Sequence, residues 1–179
     1  MRKTQYEKTQ AYLTGHAWLI PLLDFFSTKV TYLYMASAVL FLWTPLGRQV
    51  GYSLAISLCV AWGICTQACA YVFPLRRPYQ KYGFTPLAGR GMFSRVDADY
   101  DSFPSGHTVA LAVVTIFLFV VSLPLGLSSL LVLGLSALSR VVLGYHYMVD
   151  ITAGILLGTL VVSTLHMIGL YAYIVTVIP

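Results

Sequence analysis

Residues 101–150 read DSFPSGHTVALAVVTIFLFVVSLPLGLSSLLVLGLSALSRVVLGYHYMVD. From Ser102 to Ser139 no side chain carries a formal charge, and the run is too long for a single bilayer crossing. Ser122-Leu123-Pro124-Leu125-Gly126 supplies turn chemistry in the middle of it. The stretch therefore predicts two membrane-spanning helices, near 105–121 and 126–142, with its polar residues clustered at the outer ends of both.

Further apolar runs extend the pattern on either side. Uncharged segments between Lys29 and Arg48 and between Arg48 and Arg76 predict spans near 30–46 and 50–73. A run of about 148–173 makes the fifth, and Gly154 and Gly158 within it form the Gly-x3-Gly spacing of closely packed helices. Residues 5–27 are apolar but broken by His16, Pro21 and Asp24, and only Ser27-Thr28-Lys29 separates them from the next span. The preferred reading is an N-terminal amphipathic helix lying in the membrane interface, with a sixth span as the alternative.

Composition agrees with an all-α integral membrane bundle. Of 179 residues, 58% are hydrophobic and 9% charged, against roughly a quarter charged in soluble domains. No repeat or linker divides the chain, so residues 1–179 are read as one domain. The net charge of +5 comes from residues at helix ends and in the loop 79–103, not from a basic face interleaved with aromatics. Anionic lipid headgroups, not nucleic acid, are the expected partners. Cys59, Cys65 and Cys69 lie in one apolar run with no metal or disulfide spacing, and are expected to be small buried side chains. Arg2, Lys3 and Lys8 before an apolar stretch resemble a signal peptide, but no cleavage site follows and the segment is expected to be retained.

If five helices alternate in direction, Arg76-Arg77-Pro78, Pro104-Ser105-Gly106-His107, and Ser139-Arg140 with His146 and Asp150 all emerge on one face. Ionisable groups beside hydrocarbon are costly, and arginines gathered with histidines there suit anion chemistry. His146 and Asp150 are four apart, so at a helix start they share a face and the carboxylate is expected to orient the imidazole. Arg77 and Arg140 are permanent cations with bidentate donors for phosphate oxygens. Ser105 adds a hydroxyl, and Gly106 allows close backbone approach at a helix N-terminus. Asp97, Asp99 and Asp101 lack the remaining pattern of a calcium loop and are read as solvated charge. His16 and His166 stand apart from the motifs and are read as structural.

The last two motifs, Pro-Ser-Gly-His and Ser-Arg-x5-His-x3-Asp, occur complete and in order over residues 104–150. With Arg77-Pro78 they resemble the type 2 phosphatidic acid phosphatase family of membrane lipid phosphatases, whose first motif is Lys-x6-Arg-Pro. The resemblance implies metal-independent hydrolysis of a lipid phosphate, with no cofactor. It implies His146 as a nucleophile forming a phosphohistidine, Asp150 as its orienter, His107 as general acid, and Arg77 and Arg140 as phosphate ligands.

The family's lysine position is Ala70 here. On an ideal helix that lysine would sit about 10 Å below Arg77 on the same face. Arg76 is a candidate substitute, as are Lys81, Arg90 and Arg95. Among bacterial members the implied substrates rank as undecaprenyl diphosphate, then phosphatidylglycerol phosphate or phosphatidate, then lipid A 1-phosphate. A lipid phosphotransferase and an inactive scaffold or transporter are the alternatives. The resemblance implies a multi-pass protein of the bacterial cytoplasmic membrane with a periplasmic site. The positive-inside rule points the other way, since only Arg48 lies on the face opposite the motifs in the five-span reading.

Overall fold

The computed structural model describes residues 3–41, 44, 48–88 and 101–177. Arg2, Arg90, Arg95, Asp97, Asp99 and the end of the first expected span lie outside the described residues. In chain order the elements are α1 (Lys3–Gly15), α2 (Leu19–Asp24), a π-helical turn (Phe25–Lys29), α3 (Val30–Phe41), α4 (Arg48–Leu58), a second π-helical stretch (Cys59–Cys65), α5 (Thr66–Val72), α6 (Pro78–Tyr82), α7 (Gly106–Val121), α8 (Leu123–Val142), α9 (Met148–Met167) and α10 (Leu170–Val177). No strand occurs among the described residues. The protein is a helical membrane bundle.

Val50–Val72, Leu123–Val142 and Met148–Met167 are long and apolar enough to cross a membrane, and α7 is a shorter apolar helix. Ser122 starts α8 as a capping residue, its Oγ accepting from the Leu125 amide at 3.4 Å, with Pro124 in the first turn where a missing N–H does no harm. At the other end of the bundle Gly169, with φ 73°, turns the chain so that α10 folds back. The fifth run thus ends as a straight helix at Met167, not near residue 173.

The N-terminal region differs most from expectation. Ser27-Thr28-Lys29 does not separate two segments: α2, the π turn and α3 form one continuous helix from Leu19 to Phe41, with Asp24 and Val30 both in helical conformation. A π turn accommodates an extra residue without ending the helix, so the charges at Asp24 and Lys29 do not delimit it. Helix α1 has 13 residues, about 20 Å of rise, and is too short for a sixth span. Its buried residues Tyr6, Gln10 and Leu13 recur at helical spacing and face the protein. The Tyr6 ring packs 5.0 Å from Phe84 and 5.9 Å from Tyr82, in a cluster with Leu13, Tyr79, Leu143 and Tyr145.

Helix α7 is the hub. Val109, Val113, Val114 and Phe117 are buried against Leu54, Ala61, Val161 and Val162 from the flanking helices. Gly154 and Gly158 let α9 approach it closely: a Cβ on either would stand 3.0 Å from a carbonyl of the facing chain, Ser105 O or Val109 O. Contrary to expectation the cysteines are not core residues. Cys59 is exposed and Cys65 and Cys69 are partly so, because the outer surface of a spanning helix is as apolar as its core-facing side and accepts small apolar side chains equally well.

Candidate active site

Helix α5 ends at Val72, and Phe73 (φ −121°, ψ 73°) sends the chain into an extended stretch that lasts to Arg77. Arg77 precedes α6, where Pro78 is placed as a first helical residue and the Gln80 side chain accepts from the Arg77 amide at 3.0 Å. The ideal-helix geometry relating position 70 to Arg77 therefore does not apply, and neither does the angular offset of Arg76. Arg76 and Lys81 are exposed, whereas the Arg77 side chain is only 13% exposed. Its Nε and Nη2 donate to the two carboxylate oxygens of Asp101 at 2.7 and 2.8 Å. Asp101 is thus a paired residue and not solvated charge.

The second arginine is set from the other side. Arg140, in the last turn of α8, is 4% exposed. Its Nη1 donates to the Ser27 carbonyl in the π turn, and Nη2 lies 3.5 Å from Nε2 of His146. Gly144, at φ 78°, terminates the helix in the left-handed conformation that glycine adopts at no steric cost. The chain then folds back so that the amides of Tyr145 and His146 reach the Arg140 carbonyl at 2.9 and 3.4 Å. A side chain at position 144 would collide with the Tyr6 ring. Burial pushes the pKa values of the Tyr6 and Tyr145 hydroxyls up to about 12, so both buried tyrosines stay neutral.

His146 is 2% exposed and Asp150 fully buried. The imidazole Nδ1 is 2.8 Å from the Ser102 carbonyl, which can only accept, so Nδ1 carries the proton and Nε2 presents its lone pair. Burial holds the His146 pKa well below the ordinary histidine value, and the Arg140 and Arg77 guanidinium groups push it the same way. Asp150 does not orient the ring by direct contact. Its Oδ2 is 3.6 Å from Nδ1 and accepts from Ser102 Oγ at 2.6 Å and from the Tyr147 amide at 2.8 Å, closing the first turn of α9.

The Pro104-Ser105-Gly106-His107 motif opens α7. The Ser105 amide donates to the Asp150 carbonyl at 3.1 Å, a contact made possible by the Gly154 notch one turn further along α9. Ser105 Oγ accepts from Thr108 Oγ1 at 2.9 Å. A Cβ on Gly106 would stand 3.1 Å from the indole nitrogen of Trp62, so the glycine here admits a neighbouring helix. The His107 ring meets Tyr32 edge-on at 5.6 Å. Among the residues of the three motifs, His107 Nε2, Arg140 Nε and Asp150 Oδ1 are buried without a hydrogen-bond partner. The open Nε–H of the Arg140 guanidinium suits an incoming anion.

The structure thus brings Arg77, Ser105, Gly106, Arg140, His146 and Asp150 to one end of the bundle, with His107 in the first turn of α7, and leaves Arg76 exposed. Sequence reasoning missed Ser102, Ser27 and Tyr32. Ser102 lies two residues before Pro104, close enough to the motif to have been suspected. Ser27 acts through its carbonyl, which any residue would supply, and Tyr32 reaches the site only through the unbroken helix. His16, stacked on Tyr12 at 4.3 Å, and His166, 6.1 Å from Tyr171, take no part in these contacts.

A family model described as the PAP2 superfamily matches residues 46–173, beginning after the helix that carries Ser27 and Tyr32. The match spans every motif above, and with the convergence of those motifs at one end of an apolar bundle it means that the chain belongs to the PAP2 superfamily, a family of phosphatases acting on phosphate esters.

Proposed function

We propose that the chain hydrolyses a phosphomonoester or diphosphate on a membrane lipid, without a metal, through a phosphohistidine at His146. The observation that carries this reading is the state of His146: neutral, with Nδ1–H committed to the Ser102 carbonyl and the Nε2 lone pair beside Arg140. In the first step Nε2 attacks phosphorus and the bond to the lipid oxygen breaks. His107 donates a proton to that oxygen, and the bound phosphate's negative charge favours the imidazolium it needs. In the second step water attacks the phosphohistidine, His107 takes a proton from the water, and inorganic phosphate leaves with Nε2 regenerated. Arg77 and Arg140 stabilise the equatorial oxygens throughout, assisted by Ser105 and the amides at Gly106.

A lipid is favoured over a soluble ester by the rim. Phe73 and Leu75, just before Arg77 in the chain, and Met148 and Val149, just after His146, are 45–60% exposed and apolar. A headgroup reaching those arginines leaves its tail against these residues. Undecaprenyl diphosphate is the first candidate, followed by phosphatidylglycerol phosphate or phosphatidate and lipid A 1-phosphate, in the bacterial cytoplasmic membrane with the site facing the periplasm. The test is phosphate release from these lipids in detergent, together with trapping of an acid-labile, base-stable phosphoenzyme. Release from a water-soluble ester at the same kcat/KM as from every lipid would overturn the lipid assignment, and a phosphoenzyme label that survives in His146→Ala would overturn the nucleophile.

A further inference from the structure

Ser102 is where the separate pieces of the site are joined. Its amide donates to the Leu75 carbonyl at 3.0 Å, in the extended stretch leading to Arg77. Its hydroxyl donates to Asp150 Oδ2 at 2.6 Å, and its carbonyl accepts from His146 Nδ1 at 2.8 Å. It is fully buried, and the three contacts use its backbone donor, its backbone acceptor and its side-chain donor. Asp150 by contrast is 3.6 Å from the imidazole, beyond hydrogen-bond range, with Oδ2 already accepting from Ser102 and from the Tyr147 amide.

We propose that Ser102 is the positioning residue of the nucleophile: Asp150 orients His146 through the Ser102 hydroxyl and carbonyl and not by direct contact with the ring. The carboxylate anchors the serine, the serine's carbonyl fixes Nδ1–H, and the lone pair of Nε2 is thereby aimed at the phosphate. This rests on the phosphohistidine reading above and adds to it a residue outside the three motifs. Oriented reactants gain more in the transition state than in the bound ground state, so the effect belongs in kcat.

The test is a double-mutant cycle of Ser102→Ala and Asp150→Ala, with kcat, KM and single-turnover phosphoenzyme formation measured on one lipid phosphate and folding followed by thermal melting in detergent. Ser102→Ala is expected to lower kcat and the rate of phosphoenzyme formation by roughly ten- to a hundredfold, the rate equivalent of one hydrogen bond to a charged group. KM should stay within about twofold, since no phosphate ligand is removed. Because Asp150 acts through Ser102, the serine substitution should add little to Asp150→Ala. Equal losses from Ser102→Ala in both backgrounds, or wild-type kcat in Ser102→Ala, would overturn the proposal. If either alanine variant fails to fold, Ser102→Cys and Asp150→Asn keep the volumes and carry the same cycle. His146→Ala, run in parallel, separates the two readings: turnover there would sink the phosphohistidine itself, whereas an inactive His146→Ala beside an additive cycle would sink only the role of Ser102.

Discussion

Arg77 gives Asp101 its Nε–Nη2 edge, at 2.7 and 2.8 Å, so the guanidinium proposed for phosphate is already oriented by a carboxylate. A bidentate pair fixes the plane of the fork and turns its other edge toward the ligand. Asp101→Ala is therefore expected to weaken phosphate binding, raising KM for the lipid and the inhibition constant for inorganic phosphate by about tenfold, or about 1.4 kcal/mol. Steady-state inhibition by phosphate checks this. Tighter inhibition would mean that the carboxylate competes with phosphate for Arg77.

His146→Ala should reduce turnover to below about 1% while leaving the protein folded in detergent, because the covalent route is lost outright whereas one buried side chain and its bond to the Ser102 carbonyl cost only part of the stability. Phosphate release with a lipid substrate is the measurement.

The depressed pKa of His146 has a definite sign. In the proposed mechanism the neutral ring is the active form, so the limb of kcat/KM that it controls should lie on the acid side of about 6.5, the unperturbed histidine value. Arg140 and Arg77 both hold that pKa down, so Arg77→Ala should move the limb toward higher pH as well as lowering activity. Below pH 6.5 the unfolded chain binds a proton that the folded chain refuses, and stability should fall as pH falls. A pH–rate profile of wild type and Arg77→Ala, with melting curves at matching pH, checks both statements.

Arg76 is exposed while its neighbour Arg77 is turned inward. Arg76→Ala should accordingly cost less than about threefold in kcat/KM, and Arg77→Ala at least about a hundredfold, the difference between an exposed cation and the inward-turned one proposed to hold the reacting phosphate. Equal losses would require Arg76 to reach the phosphate in the complex.

Gly154→Val would push a side chain against Ser105 O, 3.0 Å from the first added carbon, and against Thr108. The overpacking should destabilise the bundle by about 1–3 kcal/mol. Since the same crossing carries the Ser105–Asp150 contact, activity should fall with it. Gly134→Val, where a Cβ meets nothing within 4 Å, is the control expected to do neither.

Much of this was readable in the residues. Long uncharged runs have few solutions in a bilayer other than helices, so the spans from Val50 to Met167 were legible from hydropathy and turn residues. Alternation of those helices sufficed to bring Arg77, Arg140, His146 and Asp150 to one end. The N-terminal helix was misread at Lys29 because a charge near the membrane boundary and a π turn within a helix look the same in one dimension. The cysteines were misread because apolar residues in a spanning helix face lipid as readily as protein.

What the sequence indicated by itself was the family, through its motifs, and the end of the bundle at which the motif residues meet, through helix alternation. The tertiary structure alone decided who holds whom. Asp101 could be solvated or paired, Asp150 could touch His146 or Ser102, and Arg140 could find any carbonyl. Those choices depend on ångström-scale placement of three helix ends and one extended segment, and on two backbone carbonyls, Ser27 and Ser102, whose chemistry is common to all residues and leaves no mark in the sequence.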